Sequence, residues 1–155
     1  IETNLLDCTI WNYAADNTNL RGDLWNGEDL SIFGRDQQDD PMDPDSGGRG
    51  LRALVRPYPR ATAGTPLEAS FDCRSRHYTV RFRHDPAIEA PTEIFVPALQ
   101  YPAGARVEVS DGTWELCTAK QLLIYRHSTG RSEHTIRLSP SAGRATKAAT
   151  RTAPS

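Results

Sequence analysis

The segment that decides the fold is His77-Tyr78-Thr79-Val80-Arg81-Phe82-Arg83-His84, in which apolar and polar side chains alternate from Tyr78 to Arg83. A period of two puts Tyr78, Val80 and Phe82 on one face of an extended chain and Thr79, Arg81 and Arg83 on the other. That is a strand with one face in a core and one in water. The same period recurs on both sides. Phe71 and Cys73 alternate with Ser70 and Asp72 before it; Ile94 and Val96 alternate with Glu93 and Phe95 after it, and Val107 and Val109 flank Glu108. Asp111-Gly112, between 107–110 and 114–117, predicts a type I′ hairpin turn. Two more strands are predicted over 121–126 and 134–138, separated by the polar run His127-Ser128-Thr129-Gly130-Arg131. About seven short strands, with turn signals every ~8 to 12 residues, read as an antiparallel β-sandwich.

Upstream the pattern changes. Residues 4–13, Asn-Leu-Leu-Asp-Cys-Thr-Ile-Trp-Asn-Tyr, form a short apolar run that predicts one buried strand ending near Trp11. Residues 15–29 are dense in Asn, Asp and Gly, and residues 36–48 are acidic, interrupted by Pro41 and Pro44 and ended by Gly47-Gly48; both read as long loops. Leu51, Leu54, Val55 and Tyr58 then recur at helical spacing, predicting a helix of about two to three turns over 48–57, closed by Pro57 and Pro59. Residues 140–155 hold Ala, Thr, Ser and Pro with three bases and no large apolar side chain, and are expected to be disordered.

Charge and cysteine usage exclude several classes. Residues 1–50 carry 11 acids against 3 arginines, whereas residues 51–139 carry 9 acids against 12 bases. A nucleic-acid binder concentrates Lys and Arg on one face, and here the most charged region is acidic, so no nucleic-acid partner is expected. Cys8, Cys73 and Cys117 are odd in number and widely spaced, which reads as buried thiols in preference to a disulfide framework, a single Cys73–Cys117 bridge being the alternative. No run approaches a membrane span, and Ile1-Glu2-Thr3 opens without a basic leader or start methionine, so truncation or processing is expected and the compartment stays unassigned.

A strand ending in Trp-Asn-Tyr and opening into Asn, Asp, Trp and Glu suits a sugar. Pyranose C–H faces stack on aromatic rings, and hydroxyls need fixed carboxylate and amide partners. The candidate substrate-binding residues are Trp11, Tyr13, Asp16, Asn17, Trp25, Asn26, Glu28 and Asp29, with Asn12 beside them. The plainer reading makes Trp11 core, Asn17, Asn19 and Asn26 turn caps, and the acids solvated.

Residues 10–33 contain Trp11-Asn-Tyr13-Ala-Ala-Asp16-Asn17 and then Trp25-Asn-Gly-Glu-Asp29. They resemble the segment after the eighth barrel strand in glycoside hydrolase family 5 enzymes of the endoglycoceramidase and glucocerebrosidase-like branch. Residues 91–112, with Pro91-Thr92-Glu93-Ile94-Phe95-Val96-Pro97 after Ala90, and Gln100-Tyr101-Pro102, resemble the β-sandwich that follows the barrel in that branch. The resemblance implies residues 1–62 as the end of a (β/α)8 barrel, 63–139 as the sandwich, and 140–155 as a tail. It also implies a retaining hydrolysis of a β-glucoside or glycolipid by two glutamates about 5 to 5.5 Å apart. Those glutamates match no position here: Glu2, Glu28 and Asp29 stand at neither catalytic strand end, so no catalytic residue is assigned to this chain. Trp11 matches the aromatic residue under the cleaved sugar, at the barrel face where such sites lie. Where the branch often has Pro before Asp-Asn, Ala15 stands here.

No cofactor or metal is read. The acidic run at 39–48 has Pro41 where a calcium-loop ligand would sit and no closing glutamate. His77, His84, His127 and His134 lack HExxH spacing and are expected at surface or edge positions. A second function, of a different class, is an independent module binding carbohydrate or a membrane surface through Arg74, Arg76, Arg81 and Arg83. A third, plainer role for the sandwich is to prop the barrel.

Overall fold

The structure, a computed structural model, describes residues 2–6, 8–142 and 149–152. It divides into two compact units, one of Ile1–Asp7 with Val55–Ser155 and the other of Cys8–Leu54.

In the larger unit the described residues form nine strands: β1 Tyr58–Ala61, β2 Gly64–Asp72, β3 His77–His84, β4 Thr92–Phe95, β5 Ala105–Val109, β6 Thr113–Cys117, β7 Leu122–Arg126, β8 Glu133–Pro140 and β9 Ala149–Thr152. All pair antiparallel, in two sheets of order β2-β3-β8-β5 and β1-β4-β7-β6-β9. The period-two pattern fixes which faces meet. Tyr78, Val80 and Phe82 of β3 lie opposite Leu138, Ile136 and His134 of β8, and all six are buried. In the other sheet Thr92 and Ile94 lie opposite Tyr125 and Leu123, again buried. The Phe82 and Tyr125 rings meet edge to face across the sheets, with centroids 6.2 Å apart. Proline sits where a ladder tolerates it: Pro59 and Pro66 lie in the outermost strands β1 and β2, each beside a register shift, and Pro140 is the last residue of β8.

Five of the sequence expectations meet a different outcome. Asp111-Gly112 makes no hairpin, because β5 and β6 belong to different sheets and the pair crosses between them. Gly112 has φ 71°, and a Cβ there would lie 2.2 Å from the Arg126 carbonyl oxygen, so only glycine permits this close passage. No strand forms among the described residues of 4–13. Glu2–Asn4 make a 3₁₀ turn, and Leu5, Leu6, Ile10 and Trp11 are exposed; strand backbone needs a hydrogen-bonded neighbour on the sheet, and no described strand pairs with this segment. No barrel element is therefore seen among the described residues.

The helix shrinks to α1, Leu51–Leu54, a single turn. Gly50, at φ 64°, cannot extend it backwards, and Pro57 disfavours the helical conformation at Arg56. The cysteines are free, Cys8 and Cys73 exposed and Cys117 half-buried, because Cys73 falls in the turn after β2 instead of within a strand. Of residues 140–155, Pro140 ends β8 and the backbone of 149–152 pairs with β6, while residues 143–148 and 153–155 lie outside the described residues. Lastly, His134 is fully buried, not at the surface.

Candidate carbohydrate-facing site

The unit Cys8–Leu54 has almost no regular secondary structure, and side-chain-to-backbone bonds shape it. Asn17 is fully buried: its side-chain Nδ2 donates to the Phe33 carbonyl at 2.9 Å, and its backbone carbonyl accepts from the Arg35 N–H at 2.7 Å. Ser31 Oγ accepts from the Ala14 N–H at 3.0 Å and the Phe33 N–H at 3.1 Å, and Ile32 N–H donates to the Asn12 carbonyl at 2.9 Å. These bonds tie residues 12–17 to residues 31–35, a pairing that a one-dimensional reading of Asn and Asp content does not show.

On this frame the aromatic residues point outward. Trp11 is 67% exposed, Tyr13 66% and Trp25 56%. Trp11 and Trp25 meet edge to face with centroids 6.4 Å apart, and Tyr13 packs on Phe33 at 5.7 Å. The tryptophan pair is held from below. Asn12 Nδ2 donates to Asp23 Oδ2 at 3.0 Å, and Asp23 Oδ1 accepts the Trp25 N–H at 3.0 Å, Asp23 itself being buried. Trp25-Asn26-Gly27-Glu28 closes through the Glu28 N–H to the Trp25 carbonyl at 2.9 Å, with positive φ at both Asn26 and Gly27 as in a type I′ turn. Gly22 lets this turn pack back, since a Cβ there would lie 2.1 Å from the Glu28 carbonyl oxygen.

The polar candidates divide by role. Asn26 and Glu28 present exposed side chains on the turn. Asp16 forms an exposed ion pair with Arg35 at 2.9 Å. Asp29 pairs with Arg49, whose guanidinium also reaches Asn19 Oδ1 at 2.7 Å and Gln37 Oε1 at 2.9 Å. The Arg49 hydrogen bond and then the Asn17 amide hold the Asp29 carboxyl below its ordinary range. Asn17 and Asp29 thus brace the loop, whereas Trp11, Tyr13, Trp25, Asn26 and Glu28 are open to a ligand. Sequence reading missed Asp23 and Arg49 as bracing residues; the faint signal was Asp23 two residues before Trp25, the spacing at which an aspartate caps the following backbone.

Elsewhere the acidic run at 39–48 satisfies itself. Ser46 Oγ accepts from the Asp39 and Asp40 N–H groups at 2.9 and 3.0 Å, and Asp40 and Asp43 each accept a backbone N–H two residues on. Of the arginines considered for a membrane surface, Arg81 and Arg83 pair with Glu133 at 2.8 and 2.9 Å, and Arg76 donates to the Gln100 carbonyl at 3.3 Å. That pairing reduces the charge on offer to an anionic surface.

The fold defines the class: a two-sheet antiparallel β-sandwich, with Cys8–Leu54 as a separate loop-built unit. The chain belongs to the glycoside hydrolase family 5 C-terminal domain family, whose model matches residues 56–138. A glucosylceramidase of Rhizopus delemar is 40% identical over 114 residues, which are 65% of this chain and 17% of that protein. Among solved structures, sterylglucosidase 1 of Cryptococcus neoformans superposes with a TM-score of 0.80 at 30% identity, covering 92% of this chain and 23% of that one. Endo-glycoceramidase II from Rhodococcus sp. gives a TM-score of 0.53 at 34% identity over 66% of this chain and 23% of that one. The sterylglucosidase match extends past the sandwich into Cys8–Leu54. This chain spans less than a quarter of each of these proteins.

Proposed function

We propose that this chain is the C-terminal portion of a retaining β-glycoside hydrolase acting on a lipid-linked β-glucoside, with the catalytic glutamates supplied by polypeptide outside these residues. Glu28 is the only glutamate between residues 8 and 54, so this unit cannot itself furnish the pair of glutamates that the family resemblance implies. Its part is to receive substrate. The observation that carries this reading is the exposed Trp11–Trp25 pair, whose placement Asn12 and Asp23 secure. Apolar rings held open to solvent at the cost of burial are a ready platform for the C–H face of a sugar or for a lipid aglycone. The glucosylceramidase and sterylglucosidase names of the relatives support a glucoside carrying a lipid. In this reading Glu28 and Asn26 reach sugar hydroxyls, while the sandwich props the barrel.

The test compares hydrolysis of a fluorogenic β-glucoside by the 155-residue chain and by a longer polypeptide that carries it behind a family 5 barrel. The longer protein is expected to turn substrate over and the chain alone to stay at background. Turnover by the chain alone at an enzyme-like rate, with contamination excluded, overturns the proposal.

A further inference from the structure

Three histidines that no sequence motif joins meet at one end of the sandwich. His84 closes β3, His134 opens β8 in the same sheet, and His127 follows β7 in the other sheet. One ring nitrogen from each lies within 4.8 Å of the other two. His134 Nε2 and His84 Nδ1 are 2.9 Å apart, and the His84 and His127 rings stack with centroids at 4.6 Å.

Behind them stands Asp111, carried in by the crossover that Gly112 permits. Its Oδ2 lies 2.8 Å from His134 Nδ1 and accepts from Ser110 Oγ at 2.7 Å; its Oδ1 accepts from the Ser128 N–H at 2.8 Å, Ser128 Oγ at 3.1 Å and Tyr125 Oη at 3.0 Å. Burial works against the Asp111 charge, but the hydrogen bonds from Ser128, His134, Ser110 and Tyr125 outweigh it and hold the carboxyl well below its ordinary range. An ionised carboxylate only accepts, so His134 carries its proton on Nδ1, and in the neutral ring Nε2 turns its lone pair toward His84.

We propose that His84, His127 and His134 form a three-imidazole site for a divalent transition metal, zinc(II) by its ligand type, that clips the two sheets together, with Asp111 as the residue that positions His134. The arrangement is that of a metal-binding histidine whose second nitrogen is fixed by a carboxylate. Metal occupies the place of the proton shared by His84 and His134. The two nitrogens need to part by about 0.4 Å, to the ~3.3 Å separation of two ligands on a tetrahedral ion with bonds of about 2.0 to 2.1 Å. His134 is buried and stays in place, whereas His84 and His127 are half-buried and can turn their rings from the stacked contact. With three protein ligands, the fourth position is left to water.

The test is calorimetric titration of the full 155-residue chain with ZnCl2 under reducing conditions, with Tm followed alongside and CoCl2 used for its visible absorption. One equivalent is expected to bind, with a rise in Tm of several degrees and a tetrahedral, nitrogen-ligated cobalt spectrum. His84→Ala and His127→Ala, which alter half-buried rings, are each expected to weaken binding at least a hundredfold, while His77→Ala leaves it unchanged. Asp111→Asn is expected to weaken it roughly tenfold to a hundredfold. Absence of a zinc-dependent heat and Tm change, or binding undiminished in both His84→Ala and His127→Ala, overturns the proposal.

Discussion

Asp29 and Trp11 show how neighbouring candidate residues separate into bracing and contacting roles. The Asp29 carboxyl is held below its ordinary range by Arg49 and Asn17, so its contribution to stability is complete above the unfolded value of about 3.9 and is lost as pH falls through the lower folded value. Asp29→Asn is therefore expected to lower the Tm of residues 8–54 slightly at neutral pH, with the gap to the parent closing below about pH 4; near-UV circular dichroism of Trp11 and Trp25 reads this. A gap independent of pH from 7 to 3 would refute it. Trp11 is 67% exposed, so Trp11→Ala is expected to shift stability by less than about 0.5 kcal/mol. In the longer enzyme the same change is expected to lower kcat/KM by about fivefold or more, the equivalent of roughly 1 kcal/mol of aromatic contact. Steady-state kinetics on a lipid-linked glucoside decides it.

At the level of elements, the crossover between β5 and β6 carries more than its length implies. Gly112→Ala combines a left-handed backbone with a Cβ that would sit 2.2 Å from the Arg126 carbonyl oxygen. It is expected to cost about 2 kcal/mol or more, seen as a lower urea midpoint. In the core, Phe82 joins β3 to Tyr125 of β7 across the sheets and is fully buried. Phe82→Ala is expected to destabilise by about 3 to 5 kcal/mol through the cavity it leaves, checked by the same denaturation curve. The β3 alternation was legible because half-buried strands follow a period of two whatever their partners. The Asp111-Gly112 connection was misread because a hairpin and a sheet-to-sheet crossover demand the same turn chemistry, and only the pairing of β5 with β8 and of β6 with β7 separates them.

Over the whole molecule, two units of unequal cohesion share one chain. The sandwich is built from paired strands around an apolar core, while Cys8–Leu54 relies on loop hydrogen bonds and leaves Ile10, Trp11, Tyr13, Leu20, Leu24 and Trp25 exposed. Hydrogen exchange is expected to be slowest in β3, β7 and β8 and fast over residues 8–13; equal protection in both would contradict this contrast. The aromatic and polar residues of the sugar-facing loop were legible as a set, because residue chemistry is local. Their division into Asn17, Asp23, Asp29 and Arg49 as braces and Trp11 and Trp25 as open faces was not.

By itself the sequence determined the alternating strands, the acidic and proline-broken loops and the family resemblance, since each depends on side-chain chemistry and short-range spacing. Which strands share a sheet, and the meeting of His84, His127 and His134 around Asp111, were decided by tertiary structure alone. Those residues lie up to 50 positions apart, and only the packing of one sheet on the other brings their ring nitrogens together.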